Sequence, residues 1–165
     1  MAIFDGSGSK ADSYVIFATT SAEDGTITAV NANTAFVDSI TNFDVGNDGL
    51  RLRDSEGGYY GQNNIGTIGN LSSIAVGDTT LTASVAGGVI SFGTLEATTA
   101  EISLDAKLYV ATHNVSNNRV TGFEHNGDFY VVATGNSNDS NITTDDIVVR
   151  LAGVSGIADI TTILV

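Results

Sequence analysis

The hydrophobic residues of the chain recur mainly with a period of two, which is the period of a β-strand with one buried face. Near the N-terminus, residues 13–20 read SYVIFATT, and the unbroken apolar run at 14–17 predicts a strand covered on both faces. A shorter strand is predicted over residues 26–30. The first part of the chain is therefore predicted to be built from strands.

Residues 38–50 read DSITNFDVGNDGL and follow the same alternation. A strand is predicted over residues 36–45. The Asp48-Gly49 pair that follows favours a tight hairpin, after which the apolar alternation resumes. This stretch is thus predicted to be a strand, a hairpin turn and a second strand. Residues 54–73 are rich in Gly and Asn and predict an extended surface loop.

Two further hairpins are predicted in the rest of the chain. Residues 80–92 contain TLTASV, a turn with two glycines, and VISF. The pair Asn126-Gly127 is predicted to join strands at 120–125 and 128–134. The segment IVVRL at 147–151 is predicted to extend the same sheet.

The segment 101–112 admits two interpretations. Its apolar residues keep period two, which favours a strand; they are Ile102, Leu104, Ala106, Leu108 and Val110. Alternatively, Thr98 with Glu101, or Ser103, could cap a helix. The pattern as a whole predicts a mainly β fold, either an antiparallel β-sandwich or β-roll-like sheets. Residues 1–165 are expected to form one domain, with an N-terminal β part at 1–93 and a C-terminal part at 94–165.

Composition limits the classes of partner. The 165 residues are 42% hydrophobic and 15% charged, which favours a folded chain with one core. The chain has 19 acidic and 6 basic residues, so its net charge of -13 disfavours nucleic acid and anionic membranes. No cysteine is present, and neither a signal peptide of the general secretory route nor an apolar run long enough to span a membrane is found.

Two groups of oxygen-bearing side chains are candidates for a metal site, and calcium is the ion that such ligands favour. The first group is Asp38, Asp44 and Asp48; the second is Asn136, Asn138, Asp139, Asn141 and Asp145. Asp and Asn also occupy turns for backbone reasons alone, so a turn is the favoured interpretation of the first group and a polar loop that of the second. Calcium is therefore a possible cofactor.

No catalytic constellation stands out, and the protein is not expected to be an enzyme. The histidines are His113 and His125, and neither has a companion ligand at metal spacing, so both are expected to be surface or sheet residues. The segment GVSG at 153–156 falls short of a nucleophile elbow. Nothing marks a pair of carboxylates flanking a cleft.

The stretch DSITNFDVGNDGL resembles a pattern, D-x-I-x-x-F-x-x-G-x-D-x-L, that follows the calcium-binding repeats of RTX-type proteins. The matching residues are Asp38, Ile40, Phe43, Gly46, Asp48 and Leu50. The segments 103–108, 122–136 and 145–157 resemble the C-terminal domain of the same class, which includes bacterial surface-layer proteins. The end of the chain, ADITTILV, is similar to uncleaved C-terminal secretion signals; the residues concerned are Asp159, Ile160, Ile163, Leu164 and Val165.

This resemblance implies export by type 1 secretion to the outside or the cell surface of a bacterium. It also implies a short helix at residues 103–108, with Ser103 as its cap and Asp105 in its first turn. One departure weakens the calcium inference: the chain contains no G-G-x-G-x-D nonapeptide, the repeat that builds the calcium-loaded β-roll of the family.

Two functions are consistent with these features. The first is a secreted structural protein that assembles with itself into a surface layer, a filament or a matrix, with the type 1 secretion apparatus as its other partner. Assembly is expected through strand addition or sheet-edge packing, and the apolar tail is expected to be able to dock on an adjacent copy. The second is a calcium-dependent export and folding cap of a larger secreted protein. The initial Met favours a complete subunit.

Overall fold

The structure is a computed structural model that describes residues 3–5, 13–17, 37–53, 58–68, 71–76, 79–94, 101–135 and 146–165. The described part is mainly β with one α-helix, as predicted. The strands are β1 (Ile3–Asp5), β2 (Ser13–Phe17), β3 (Val37–Thr41), β4 (Gly49–Arg53), β5 (Tyr59–Tyr60), β6 (Leu71–Val76), β7 (Thr79–Ala86), β8 (Val89–Thr94), β9 (Arg119–His125), β10 (Asp128–Thr134) and β11 (Ile147–Leu151). The helix α1 spans Leu104–His113. The strand predicted at 26–30 lies outside the described residues.

The described strands form two sheets. The large sheet has the order β1-β3-β11-β10-β9-β8-β7-β6, and the small sheet has the order β2-β4-β5. β10 is antiparallel to β9 and β11, whereas β3 is parallel to β1 and β11, and β4 is parallel to β2. The sheets are thus mixed, and not antiparallel throughout as the sequence suggested. Alternation of apolar residues is the same in both strand directions and cannot distinguish them.

Both glycine-containing hairpins are confirmed. Gly87 and Gly88, between β7 and β8, have φ of 56° and 73°. Asn126 and Gly127, between β9 and β10, have φ of 53° and 83°. Two consecutive residues of positive φ give the turn whose twist matches that of the flanking strands. β11 pairs with β10, so the predicted extension of this sheet is also confirmed.

The hairpin predicted at Asp48-Gly49 is wrong. β3 belongs to the large sheet and β4 to the small one, so the segment between them carries the chain from one sheet to the other. The predicted loop at 54–73 is also partly wrong, because β5 pairs with β4 and the side chain of Tyr60 is buried. A short 3-10 helix, Gln62–Asn64, follows β5. Residues that favour turns thus occur here in a sheet crossing and next to a short strand. Residue type alone does not distinguish these two settings from a hairpin or a surface loop.

The helical interpretation of residues 101–112 is confirmed, and the strand interpretation is wrong. Ser103 caps α1: its Oγ accepts a hydrogen bond from the backbone N–H of Ala106 at 3.3 Å. Asp105 lies in the first turn, where the helix dipole favours a carboxylate. The helix buries Leu108, Val110 and other side chains against β6, β9 and β10. Because α1 contacts three strands, its apolar residues are not confined to one narrow face, and the sequence lacks a clear helical period.

The described residues form two core clusters, which lie on the two faces of β10. Phe129 and Val131 face the small sheet and the C-terminal residues, whereas Tyr130 and Val132 face α1 and the β6–β8 meander. Each cluster takes residues from both 1–93 and 94–165, so the two parts share their core. The central strand is thus covered on both sides by the rest of the chain.

Candidate functional site

Two acids of the first candidate metal group, Asp44 and Asp48, lie at the sheet crossing, where their carboxylates organise a turn. Oδ1 of Asp44 accepts a hydrogen bond from the N–H of Gly46 at 3.0 Å, and Oδ2 accepts one from Nδ2 of Asn47 at 2.7 Å. The bond from Asn47, and then the one from Gly46, lower the pKa of Asp44. Asp48 is buried, and its Oδ2 accepts from the N–H of Asp44 at 2.9 Å. The geometry gives these two acids a turn-forming role.

The third acid of this group, Asp38, lies on β3 and is partly exposed. Within the ranges that the structure describes, no group of three or more His, Asp or Glu side chains could hold a metal ion. The second predicted group, Asn136, Asn138, Asp139, Asn141 and Asp145, lies outside those ranges. Calcium binding by either group therefore stays a prediction.

The C-terminal residues form a compact tail. Asp159 begins a short 3-10 helix, Ile160–Thr162, and its Oδ1 accepts from Oγ1 of Thr161 at 2.7 Å and from the N–H of Thr161 at 2.9 Å. These two bonds lower the pKa of the Asp159 carboxyl. The acid that begins the secretion-signal-like sequence is therefore a cap that fixes the local backbone.

The tail docks on β4 of its own chain. The N–H of Leu50 donates to the carbonyl of Ile163 at 2.7 Å, and the N–H of Val165 donates to the carbonyl of Leu50 at 2.9 Å. These bonds form a parallel bridge between Leu50 and Leu164. Ile160 and Ile163 are 0% exposed and Leu164 is 2% exposed, whereas Val165 is 56% exposed. Most of the tail is thus part of the folded core.

The tail also contacts the turn between β7 and β8. The N–H of Ile160 donates to the carbonyl of Gly87 at 2.9 Å. A Cβ on Gly88 would lie 2.5 Å from Cγ2 of Ile160, so only glycine leaves room there. Next to β5, Nε2 of Gln62 donates to the carbonyl of Leu164 at 3.3 Å. The tail therefore connects the small sheet to the β6–β8 meander.

The large sheet has a seam between β8 and β9. In the described residues these strands pair at one position, Val89 with Gly122. Beyond it lies a cavity of about 580 Å³ whose lining includes Phe92 and Ile157. The Lys107 ammonium lines it too and donates at 2.8 Å to the carbonyl of Glu124 on β9. A lysine that occupies a strand edge opposes the addition of another strand.

His125 lies at the end of β9, beside this seam. Its side chain is 12% exposed, and its Nδ1 is 3.8 Å from Oε1 of Glu101, too far for a hydrogen bond. Burial lowers the pKa of His125, the charge of Lys107 lowers it further, and Glu101 and Asp128 act in the opposite direction. The prediction of a sheet histidine is confirmed for this residue.

The outer edge of β6 ends the large sheet on one side. β6 pairs with β7, and no other described strand lies along it. Ile74 and Val76 are buried while Ser73 and Ala75 are exposed, so one face of the strand meets the core. The sequence of β6, LSSIAV, has no charge, and within residues 71–94 the one charged residue is Asp78. This scarcity of charge is a signal that sequence reasoning could have used to find the edge.

Comparison with known proteins gives no further identification. No family model matches the chain, and neither a curated protein nor a solved structure is significantly similar to it. The resemblance to RTX-type and surface-layer C-terminal domains therefore stays a prediction. In the described part of the chain, no helix has the length and apolarity needed to cross a membrane.

Proposed function

We propose that this protein is a secreted structural subunit that assembles with copies of itself, outside or on the surface of a bacterial cell, by strand pairing at the outer edge of β6. The observation that supports this most is the uncharged edge strand LSSIAV at the end of the large sheet. An exposed strand edge presents backbone donors and acceptors that another chain can pair with.

The seam between β8 and β9 differs from the outer edge of β6 because a lysine lies at the seam. Proteins commonly protect strand edges with lysine. At the seam, Lys107 of α1 donates to the Glu124 carbonyl of β9, beyond the one position where the described β8 and β9 pair. β6 itself offers no charged side chain for the same purpose. We expect added strands to be rejected at the seam and accepted at β6.

The net charge of -13 opposes association of identical chains, because like charges repel. Divalent cations screen carboxylates, and calcium is suited to oxygen ligands. Calcium is accordingly proposed to promote assembly by neutralising surface acids, with no particular site implied. Raising calcium to millimolar concentration should accelerate assembly, and magnesium serves as the comparison ion.

Export by a type 1 apparatus is part of the same proposal. Because Ile160, Ile163 and Leu164 are buried in the folded chain, any apparatus that recognises them must do so before folding. Deletion of residues 159–165 should abolish export. A finer test compares Ile163→Ser with Leu52→Ser, since both residues are 0% exposed in one core cluster. Only the tail variant should lower export; equal export of both would contradict recognition of the tail.

The assembly test uses a matched pair of lysine variants. Ala75→Lys places a charge on the exposed face of the edge strand, whereas Ser84→Lys places the same charge on the exposed face of β7, which is paired on both sides. Ala75→Lys should prevent polymer growth and Ser84→Lys should not, as measured by light scattering and negative-stain microscopy. Wild-type protein that stays monomeric with and without millimolar calcium would refute the assembly.

A calcium-dependent export and folding cap of a larger secreted protein is the second candidate. The burial of Ile160, Ile163 and Leu164 favours it, because these residues complete the core and couple folding to the signal-like segment. A cap would be monomeric, and calcium would raise its free energy of unfolding. Monomers whose stability is independent of calcium would exclude this alternative.

A further inference from the structure

The outer face of the small sheet carries a distinctive set of side chains. Along β4, Leu50 and Leu52 are buried, whereas Arg51 is exposed and Arg53 is partly exposed. Successive side chains of a strand point to opposite faces. The two arginines therefore lie on the face of the small sheet that points away from the core.

Tyr59 lies beside these arginines. It pairs directly with Arg53 across β4 and β5, and directly paired residues place their side chains on the same face. The Cζ atom of Arg53 is 3.9 Å from the centroid of the Tyr59 ring, and that of Arg51 is 5.7 Å from it. Tyr59 as a whole residue is 50% exposed. Both guanidinium groups are thus within cation–π range of an exposed aromatic ring.

Val165 extends this surface at the other end of β4. Its side chain packs where Gly49 lacks a Cβ, and Gly49 faces the same side of the strand as Arg51. Of the three large hydrophobic side chains exposed in the described residues, Tyr59 and Val165 both lie here. Two of the six basic residues of the chain lie here as well. We name Arg51, Arg53, Tyr59 and Val165 the arginine–tyrosine patch.

We propose that the arginine–tyrosine patch docks an acidic surface of a second copy of this chain. Arginine and tyrosine are enriched at the energetic centres of protein interfaces, and a stacked arginine loses less side-chain freedom on binding. The partner must be acidic, and a second copy meets this requirement because the chain has 19 acidic residues against 6 basic ones. The choice of a second copy rests on the proposed self-assembly.

The contact would differ from strand pairing at β6. A basic patch that binds an acidic surface elsewhere on the next copy is a head-to-tail contact, and such contacts give rings or open filaments. The patch lies on the small sheet, whereas β6 ends the large sheet. It would therefore join copies, or polymers formed through β6, side by side.

Association through the patch can be measured separately from association through β6 in the Ala75→Lys variant, in which pairing at β6 is expected to be blocked. Sedimentation equilibrium at low salt measures self-association of this variant, alone and with Arg51→Gln, Tyr59→Ser or Ser84→Glu added. Arg51→Gln and Ser84→Glu each lower the net charge by one on different surfaces. Loss of Arg51 or Tyr59 should weaken association about tenfold or more, the loss expected for an interface hot spot. Ser84→Glu should have a much smaller effect.

Each outcome separates this inference from the proposed assembly. Association that is equally strong in the Arg51→Gln and Ser84→Glu variants would overturn the patch, even where wild-type filaments grow. Association that depends on Arg51 in protein that never forms filaments would support the patch and refute assembly through β6. Monomers that bind dextran sulfate through Arg51 without self-associating would assign the patch to an anionic polysaccharide and overturn the proposal. Should Ala75→Lys not fold, lateral bundling of wild-type and Arg51→Gln filaments gives the same comparison by microscopy.

Discussion

The side chain of Val165 packs against Gly49 so closely that a Cβ atom on the glycine would lie 2.5 Å from Cγ1 of Val165. This contact places the end of the tail beside β4, next to the bridge between Leu50 and Leu164. The glycine is therefore needed for close approach of another segment. Its role is not the positive φ of a hairpin turn, which the Asp48-Gly49 pair suggested.

Replacing Gly49 by Ala should lower the free energy of unfolding by about 1–3 kcal/mol, because the added methyl group overlaps Val165. Gly46→Ala is the control, since the nearest atom to its added Cβ would be Oδ1 of Asp44 at 3.5 Å, an ordinary contact. Urea unfolding followed by circular dichroism measures both. If the overlap is the cause, the penalty of Gly49→Ala should largely disappear in a Val165→Gly background; equal penalties in both backgrounds would argue against it.

Truncation of the buried tail should be costly. Ile163→Ala removes a side chain that is 0% exposed, and large-to-small changes in a core cost about 2–5 kcal/mol. Val165→Ala removes a side chain that is 56% exposed and should cost less than about 1 kcal/mol. Denaturant titration compares them. Similar small losses for both variants would mean that the tail contributes little to the fold.

Acidification should destabilise the protein through His125. Its pKa in the folded chain is below the ordinary value of 6.5, mainly because of burial and also because of Lys107. The unfolded chain then binds more protons than the folded one between these two pKa values, so the free energy of unfolding falls as the pH drops below about 6.5. Unfolding free energies from pH 8 to pH 5 should show this slope.

The variant His125→Gln tests the assignment of this slope. Glutamine keeps a polar side chain but does not titrate, so the loss of stability just below pH 6.5 should become smaller than in the wild type. NMR titration of the imidazole gives an independent measurement of the same pKa. A pKa of His125 at or above 6.5 would contradict the prediction.

The helix cap should contribute measurably to stability. Ser103→Ala removes the acceptor for the N–H of Ala106 and should lower the free energy of unfolding by about 1 kcal/mol. Ser103→Asp preserves an acceptor at the cap and should retain most of the stability. Thermal unfolding distinguishes the two variants. No difference between Ala and Asp at this position would show that the cap bond is unimportant.

Local signals in the sequence predicted those elements whose geometry depends on adjacent residues. Gly87-Gly88 and Asn126-Gly127 adopt the positive φ values that such pairs favour, and the hairpins follow. Alternation identified the strands around them, because one face of each strand is buried. Segment 101–112 shows the limit of this reasoning, since burial by three strands gave a helix a pattern close to period two.

By itself, the sequence determined the mainly β composition of the fold, the two hairpins predicted at Gly87-Gly88 and Asn126-Gly127, and the excess of acidic residues, because these depend on residue type and short spacings. Tertiary structure alone decided that β3 and β4 belong to different sheets, that the tail fills a space beside Gly49, and that Arg51 and Arg53 share an exposed face with Tyr59. The physical reason is that each of these arrangements depends on packing or backbone pairing between segments that are separated in the sequence. Local spacing does not encode which distant segment will supply the partner.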